Sequence, residues 1–331
     1  MKFGITARLA LILAMIGIAV SGLTGFYAYT VSRDLLVQSA KSELMTTTRF
    51  LVRRVTLVRQ EISRNLLVLA AERPARQVLA DPKAQAQTDL VDHFKQLMKV
   101  NPAFFQIRLI SAAEGGPEIV RVDRDGETLL TVTGDDLQEK GHFPYVSETL
   151  KLAAGQTYLS HIAINHEIGA HSGLEKPTVT LAAPVIDAHG KALGAVVISV
   201  DLNATFQLLA SDLPGDLQLY MTNGDGDFLI HPDPSHAFGF DRGQRVLLQE
   251  EIPAAADVVS GKTDSLLLET AGTPGGQGPL IAAFVARGVV VPARENRLIM
   301  GLAQPREVVL GQADRLGQDI LKIVLAVCLV C

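Results

Sequence analysis

An uncharged apolar segment near the N-terminus sets the first limit on how this chain folds. Residues 9–32 read LALILAMIGIAVSGLTGFYAYTVS. A helix rises about 1.5 Å per residue, so a segment of this length crosses the roughly 30 Å hydrocarbon core of a bilayer with some tilt. Lys2 and Arg8 precede it and Tyr27 and Tyr29 lie at its far end, which is typical of a span with a cytoplasmic N-terminus. A cleaved signal peptide is the alternative, but its apolar region covers only about 7–15 residues.

A second apolar run lies at the end of the chain. After Asp319 the sequence reads ILKIVLAVCLVC, which has the composition of a membrane helix but about half of the roughly 20 residues that a span needs. A short core helix is the alternative. We interpret residues 319–331 as the start of a truncated second span in the front part of a longer protein. Cys328 and Cys331 lie in this apolar run, which favours membrane-buried thiols over a redox CxxC motif.

The region between the two apolar runs begins with a helical pattern. Apolar residues over 33–80 recur three, four or seven positions apart, which predicts one long helix with a single apolar stripe. The stripe comprises Leu44, Leu51, Val55, Val58, Ile62, Leu66 and Leu69. The chain's net charge of −5 argues against a nucleic-acid partner, because such proteins present a basic face to phosphates.

Two stretches after this helix resemble each other. Residues 104–126 (FFQIRLISAAEGGPEIVRVDRDG) and 216–234 (DLQLYMTNGDGDFLIHPDP) each read as a strand, a Gly-rich turn and a returning strand. A further strand pair follows each of them, with turns expected at 187–191 and 292–296. An internal repeat of about 110 residues predicts an α+β fold with two similar antiparallel-sheet modules in tandem.

The expected organisation follows from these patterns. Pro305 suits the first turn of a closing helix. The expected segments are a cytoplasmic N-terminus (1–8), a transmembrane helix (9–32), a long extracytoplasmic helix (33–80), a first module (81–208), a second module (209–304), an exit helix (305–318) and the start of a second span (319–331).

Two motifs resemble metal sites without meeting their requirements. In NGDGDF, Asp225 and Asp227 fit the third and fifth positions of a calcium loop counted from Asn223, but Phe228 takes the place of the required glycine. A tight turn between two strands explains the motif better. His231 and His236 lie nearby, but the HPDPSH spacing gives no helical turn that would bring them together.

The second motif is HIAINHEIGAHSG at 161–173. A zinc protease needs His-Glu-x-x-His on a helix, whereas His171 comes one residue too late after His166 and Glu167. There is no Gly-x-Ser-x-Gly elbow, and the region between the apolar runs lacks cysteine. The Gly-rich stretch 271–279 lacks the Gly-Lys-Ser/Thr ending of a phosphate loop. We therefore predict no catalytic residues, no metal site and no cofactor.

A polar set lies around the first predicted sheet. Arg108 and Asp123 belong to its first hairpin, and five further residues are selected as ligand-binding candidates. They are Arg121 and Arg124 in the hairpin, Tyr145 before a predicted helix, Tyr158 on a middle strand and Asp201 at the end of the last strand. Arginine and tyrosine side chains can hold a carboxylate, and an aspartate opposite them can hold an ammonium group. A surface ion-pair network explains the same residues equally well.

The order of these stretches resembles the double-Cache sensor region of bacterial membrane receptors, particularly sensor and hybrid histidine kinases. The resemblance covers roughly residues 33–317. It rests on FFQIRLIS with EIVRVDRDG, on GQTYLSHIAIN leading through LEKP to APVIDAHGKALGAVVISVDL, and on NGDGDFLIHPDP with FGFD.

The resemblance implies a long N-terminal helix in the periplasm that carries two PAS-like modules, the first (81–208) distal to the membrane and the second (209–304) proximal to it. It also implies a small ligand in the distal module and a homodimer built along the long helix. Helix movement then passes through the second span to a cytoplasmic output unit. The amino-acid-binding subgroup of the family uses a tryptophan in its distal module, and this chain has none. Asp201 alone lies where that subgroup places its ammonium-binding aspartate, and a ligand bearing a carboxylate or amine is expected.

The resulting expectation is a non-enzymatic sensor region in the bacterial inner membrane, with most of the chain in the periplasm. A histidine kinase output is favoured, and a chemotaxis receptor or diguanylate cyclase is the alternative within signalling. A membrane-tethered hydrolase predicts a catalytic constellation that the sequence lacks. A scaffold that binds a partner protein predicts an exposed apolar patch.

Overall fold

The structure is a computed structural model that describes residues 5–81, 84–167, 175–270, 278–287 and 297–330. The turn expected at 292–296, nearly all of the Gly-rich stretch 271–279, and Cys331 lie outside the described residues. The α-helices of the described residues are α1 (Ile5–Ala71), α2 (Arg73–Ala80), α3 (Ala84–Val100), α4 (Pro144–Ser147), α5 (Asn203–Ser211), α6 (Gly239–Arg242), α7 (Leu248–Glu251), α8 (Ala256–Val259) and α9 (Arg306–Val330). Short 3₁₀ helices cover Gly134–Asp136, Thr149–Lys151, Pro234–His236 and Pro253–Ala255.

Twelve strands are present in the described residues. They are β1 (Phe104–Ser111), β2 (Glu118–Asp125), β3 (Thr128–Val132), β4 (Tyr158–Leu159), β5 (Ala163–Ile164), β6 (Pro177–Ile186), β7 (Ala192–Asp201), β8 (Gln218–Thr222), β9 (Phe228–Ile230), β10 (Ser265–Glu269), β11 (Leu280–Arg287) and β12 (Leu298–Pro305).

Helix α1 continues from the apolar N-terminal segment into the folded region without a break. The helix expected over 33–80 is divided, because α1 ends at Ala71 and α2 begins at Arg73, with Pro74 in its first turn. Proline lacks the N–H that would continue the hydrogen-bond ladder, so a new helix starts there. In the described part of the chain, α1 is the helix whose length and apolar composition would allow it to cross a membrane.

The first sheet, called the distal sheet, has the strand order β3-β2-β1-β7-β6-β4, and β5 also pairs with β6. One of its faces is apolar and packs on helices α1, α2 and α3. Ile107, Leu109 and Val122 lie in this core together with Leu66 of α1 and Phe94 of α3. Side chains alternate between the faces of a strand, so the residues between these apolar positions point to the opposite face.

The second sheet, called the proximal sheet, has the order β10-β11-β12-β8-β9. Four of its five strands, β8, β9, β11 and β12, repeat the arrangement of β1, β2, β6 and β7, which confirms the predicted tandem of similar antiparallel sheets. The NGDG segment joins β8 to β9 in a hairpin, in the register Met221 opposite Ile230. Leu44 of α1 packs on this sheet, so the one helix supplies both cores.

Helices α1 and α9 pack against each other, and α9 also contacts strand β12 of the proximal sheet. Helix α9 begins at Arg306, directly after β12. Pro305 therefore ends a strand, where the sequence suggested the first turn of the helix. The hydroxyl of Tyr29 on α1 donates a hydrogen bond of 2.9 Å to Asp314 on α9. A shift of one helix along its axis would therefore break this hydrogen bond or move the other helix with it.

Candidate functional site

The face of the distal sheet opposite the helices carries polar groups in its centre. Arg108 on β1 lies directly opposite Arg121 on β2 and Val197 on β7. Residues paired in this way point to the same face of the sheet. The polar residues of this face include Gln106, Arg108, Arg121, Asp123, Thr180 and Ser199. Burying so many polar groups on one sheet face is costly unless each finds a partner.

Arg108 is the centre of this polar face and is 0% exposed. Its guanidinium donates hydrogen bonds to the Tyr145 hydroxyl (2.9 Å), to Glu167 Oε1 (2.8 Å) and to Ser199 Oγ (3.3 Å). Its carbon Cζ also lies 4.8 Å from the centre of the Tyr145 ring. Burial would lower the pKa of Arg108, but the surrounding Tyr145, Glu167 and Glu118 raise it instead, so the cation persists.

The carboxylate of Glu167 receives three donors on one oxygen. Oε1 lies 2.5 Å from Lys140 Nζ, 2.8 Å from Arg108 Nη1 and 3.1 Å from the Tyr145 hydroxyl. Burial would raise the pKa of Glu167, but the charge of Arg108 and the hydrogen bond from Lys140 lower it to about 2. Charge-assisted bonds of this kind are strong. The three donors thus form a carboxylate-binding pocket, and Glu167 fills it. We call Arg108, Lys140 and Tyr145 the carboxylate pocket.

A second group of charges adjoins the carboxylate pocket. Arg121 donates to Asp123, with Nη2 2.6 Å from Oδ2, and its Nη1 lies 3.5 Å from Glu118 Oε2. Glu118 Oε1 lies 3.6 Å from Arg108 Nη1 and links the two groups. Within the described residues, Arg108 Nε and Glu118 Oε1 are buried without a hydrogen-bond partner. Such unsatisfied buried atoms leave hydrogen-bonding capacity for another molecule.

An apolar wall borders the carboxylate pocket on the same face of the sheet. It consists of Ile110, Val146, Ala182, Ala195 and Val197, with Phe143, Leu150 and Tyr158 packed against them. The Phe143 and Tyr145 rings stack with their centres 5.2 Å apart. An apolar wall beside a few convergent polar groups is the usual composition of a small-molecule site.

The five residues selected from the sequence do not all lie together. Tyr145 belongs to the carboxylate pocket and Arg121 to the adjoining charge group. Tyr158 lies on the same face, although its strand β4 is at the sheet edge and not in the middle. Arg124 points to the helix side, where it donates to the carbonyl oxygens of Phe104 and Met98. Asp201 lies at the end of β7, 3.0 Å from Lys176 Nζ.

Three residues of this site were not selected from the sequence. Arg108 interrupts the otherwise apolar run of FFQIRLI, and a charge in a strand buried on both faces is a signal that could have singled it out. Glu167 drew attention only as part of an incomplete zinc motif. Lys140 follows an irregular acidic loop and carries no local signal, because its role depends on the chain returning beside the turn between β1 and β2, where Lys140 N–H donates to the carbonyl oxygen of Gly116.

A separate cavity of about 660 Å³ lies between α1 and the two sheets. Its lining is mostly apolar and includes Val55, Phe104, Met221 and Leu298. The charged residues that line this cavity are Arg54, Arg59, Glu61 and Arg287, whereas on the distal face three donors meet on one carboxylate oxygen. We therefore assign the candidate site to the carboxylate pocket and its apolar wall.

Comparison with protein families gives one match. Residues 37–254 match the sequence model of the bacterial histidine kinase sensor domain. No curated protein sequence matches this chain.

Solved structures give a consistent result. The extracellular domain of a protein described as the histidine kinase vpHK1S-Z8 has a TM-score of 0.67 and 17% identity, over 83% of this chain and 98% of that one. The ligand-binding domain of the Campylobacter jejuni chemoreceptor Tlp3, in complex with L-norvaline, has a TM-score of 0.56 and 10% identity, over 83% and 94%. The sensor domain of the V. cholerae histidine kinase DctB has a TM-score of 0.53 and 16% identity, over 81% and 98%. At these identities the similarity shows a shared fold.

Proposed function

The chain belongs to the family of bacterial histidine kinase sensor domains, and on that premise we propose that it binds a small carboxylate in its distal module and signals across the bacterial inner membrane. In this proposal α1 anchors the chain, its N-terminus is cytoplasmic and the two sheets lie in the periplasm. The sensor region itself performs no catalysis. Its output is a histidine kinase, with a chemotaxis receptor or diguanylate cyclase as the alternative.

The observation that carries the proposal is the convergence of Arg108, Lys140 and Tyr145 on one carboxylate oxygen. Arg108 and Lys140 are 0% and 4% exposed. Burying two cations this deeply is unfavourable unless an anion joins them. Their positions are thus suited to a carboxylate whether it comes from the chain or from a ligand.

The charges around the carboxylate pocket indicate what a ligand would have to bring. Arg108, Arg121 and Lys140 supply three positive charges, and Glu118, Asp123 and Glu167 supply three negative ones. Removal of the Glu167 side chain would leave one uncompensated positive charge. In our proposal a ligand carboxylate replaces the Glu167 carboxylate on the same three donors, and the ligand's remaining part rests on the apolar wall.

Strand β1 connects the carboxylate pocket to α1, the helix that leads to the membrane in this proposal. Arg108 and its neighbours Ile107 and Leu109 share strand β1, and those two neighbours pack in the same core as Leu66 of α1. A shift of β1 by the ligand would therefore bear directly on α1. A ligand can shift the helices only by its differential affinity for the two arrangements.

A homodimer along α1 is part of the proposal. Phe50 and Val68 are 64% and 57% exposed on this helix, and large exposed apolar side chains favour burial against a partner. A second copy would extend the helix pair α1 and α9 to four helices at the membrane.

The test is thermal unfolding of the full chain in detergent with a panel of amino acids, carboxylates, amines and nucleobases. A ligand present at about 100 times its dissociation constant stabilises the folded state by about 2.7 kcal/mol. We expect hits among the carboxylates. We expect Tyr145→Phe, which removes one donor and keeps the ring, to weaken carboxylate binding by about 10- to 150-fold, since a hydrogen bond to a charged group contributes about 1.5–3 kcal/mol.

Tyr220→Phe is the matched control, because Tyr220 is a buried tyrosine on the proximal sheet that donates to Gln218. Glu167→Gln should tighten carboxylate binding, because a neutral amide competes poorly for two cations. Binding of amines or nucleobases but no carboxylate, or equal affinity in Tyr145→Phe and the control, would contradict the assignment of the carboxylate pocket.

A further inference from the structure

Two histidines and a glutamate meet on the proximal sheet, away from the carboxylate pocket. His231 follows strand β9, His236 ends the 3₁₀ helix Pro234–His236, and Glu251 ends helix α7. Spacing in HPDPSH argued against a meeting of the histidines, yet their ring centres lie 4.6 Å apart. The 3₁₀ turn, which the Asp233 side chain caps by accepting from Ser235 N–H, reverses the chain and brings them together.

The three side chains present their ligand atoms to one point. His231 Nε2 lies 3.1 Å from Glu251 Oε2, and His236 Nδ1 lies 3.8 Å from the same oxygen. All three ligand atoms lie within 4.8 Å of one another. Tetrahedral zinc with bonds of about 2.0–2.1 Å separates its ligand atoms by about 3.4 Å. Small rotations of the two rings would therefore place a metal ion between them.

The charge balance of this cluster also favours a cation. The Glu251 side chain is 6% exposed, and within the described residues its ion-pair partners are these two histidines. Within the described residues no arginine or lysine forms an ion pair with Glu251, so its buried carboxylate lacks a permanent positive partner there. A buried carboxylate in that state is unfavourable.

The hydrogen bonds around the two histidines differ. His231 Nδ1 accepts a hydrogen bond of 2.9 Å from the backbone N–H of Asp233 and lies 3.0 Å from the Asp233 carbonyl oxygen. An accepting Nδ1 leaves the ring proton on Nε2, which faces Glu251, and a metal ion bound by Nε2 and Glu251 would replace that proton. His236 Nδ1 is buried and has no hydrogen-bond partner among the described residues. The rest of the His236 side chain is 32% exposed, which gives an ion a path from solvent.

From this geometry we infer that His231, His236 and Glu251 form a binding site for a divalent transition metal, with zinc as the best match. Two imidazole nitrogens and one carboxylate oxygen are ligands that zinc, nickel and cobalt share. The metal would tie β9, the 3₁₀ turn and α7 into one unit on the proximal sheet. This site departs from the sequence-based expectation of no metal, because Glu251 comes from a segment 20 positions away from His231.

The test uses the full chain, purified in detergent without a histidine tag and stripped of metal with a chelator. We expect calorimetric titration with zinc chloride to show about one site per chain that is weakened more than about 100-fold in His236→Ala and in Glu251→Gln, since loss of a ligand exceeds the roughly 10–100-fold effect of an outer-shell change. Co²⁺ should give the visible absorption of a tetrahedral site in the unsubstituted chain, and this absorption should be lost in His236→Ala and in Glu251→Gln.

His189→Ala is the matched control, because His189 lies on the exposed turn after β6. His236 is partly exposed, so His236→Ala should unfold at the same temperature as the metal-free parent chain. Zinc affinity that is unchanged in both His236→Ala and Glu251→Gln would overturn the site. An absence of zinc binding to the unsubstituted chain would overturn it as well.

Discussion

The polar face of the distal sheet contains a network of buried charged residues. Arg108, Arg121, Asp123, Glu118 and Lys140 are each less than 5% exposed. Removing several charges from water is costly, and the attraction between them offsets that cost only when each is paired. Loss of one member therefore harms the others. Such an arrangement explains why this sheet face holds polar residues where a hydrophobic core would be more stable.

Glu167→Gln should change the stability of the protein in a pH-dependent way. Because the folded state lowers the pKa of Glu167 from 4.5 to about 2, its ionised form stabilises the folded state above about pH 5, and this contribution is lost as the pH falls towards 2. The variant should be less stable than the parent at pH 7 by about 1–3 kcal/mol, with the deficit closing at low pH. Thermal or urea unfolding between pH 2.5 and 7 measures this.

Glu148→Gln serves as the control for that measurement. Glu148 pairs with Lys151 on the surface, where its side chain is 51% exposed, and such pairs contribute about 0–1 kcal/mol. A Glu167→Gln deficit that stays constant from pH 7 to pH 3 would show that Glu167 is not held as a carboxylate.

Helix α1 is the element that both sheets share. Leu66 lies in the core of the distal sheet and Leu44 in the core of the proximal sheet. About six turns of helix separate the two leucines at 3.6 residues per turn. The stripe seen in the sequence is therefore divided between two cores, except for Val58, which is 44% exposed. A change in one core acts on the helix that the other core holds.

Leu66→Ala should destabilise the protein by about 2–5 kcal/mol, because it leaves a cavity at a position that is 0% exposed. Leu208→Ala is the matched control, since Leu208 on α5 is 49% exposed, and it should cost less than about 1 kcal/mol. Urea unfolding followed by circular dichroism compares the two. Equal effects would mean that α1 does not pack on the distal sheet at Leu66.

Strand β12 carries a glycine that leaves room for an aromatic side chain of the neighbouring strand. Gly301 lies directly opposite Phe284 of β11, and a Cβ atom added to Gly301 would lie 2.2 Å from the Phe284 ring. We expect Gly301→Ala to destabilise the protein by about 1–3 kcal/mol through overpacking. Gly215→Ala is the control, because a Cβ at Gly215 meets nothing within 4 Å. A neutral Gly301→Ala in thermal unfolding would show that the ring moves aside freely.

At the scale of the whole molecule, a contact between the sheets accompanies the shared helix. The Asp241 carboxylate on α6 accepts a hydrogen bond of 2.7 Å from the backbone N–H of Ile164 on β5. The strand β5 belongs to the distal sheet, whereas α6 belongs to the proximal part of the chain. This bond lies three residues from Glu167, so it connects the carboxylate pocket to the proximal part.

Asp241→Ala should weaken this connection. An N–H left without its partner costs about 1–3 kcal/mol, so amide exchange at Ile164 should accelerate by about 5- to 150-fold. Hydrogen exchange measured by mass spectrometry or NMR reports on this. Asp257→Ala is the control, since Asp257 pairs with Lys262 on the surface of the proximal part. Unchanged exchange at Ile164 would show that other contacts protect it.

Several features of the fold could be predicted from the sequence because they depend on neighbours along the chain. Alternation in FFQIRLIS and in ALGAVVISVD predicted strands. The DAHGK segment predicted the turn between β6 and β7, and the NGDG segment predicted the turn between β8 and β9. The repeat of these patterns predicted two similar sheets. The break at Glu72 was missed although Pro74 signals it, because the apolar stripe continues through α2 in Ala75 and Val78.

The five ligand-binding candidates do not lie together, for a physical reason, and their role in binding stays a prediction. Arg121, Tyr145 and Tyr158 lie on the polar face of the distal sheet. Arg124, chosen for its place in the hairpin, lies on the helix side, and Asp201, chosen from the family resemblance, lies at the end of β7 beside Lys176. Strand alternation puts Arg124 on the face opposite Arg121, but which face is polar depends on where the helices pack.

The sequence by itself determined the apolar N-terminal segment, the long helix, the strands and their repetition, since hydropathy and turn chemistry act over a few residues. Only the tertiary structure decided which charges meet. Arg108 and Glu167 are 59 positions apart, and Glu251 is 20 positions from His231. Such meetings follow from strand register and from the paths of connecting segments, because a buried charge takes whatever partner the packed chain brings to it.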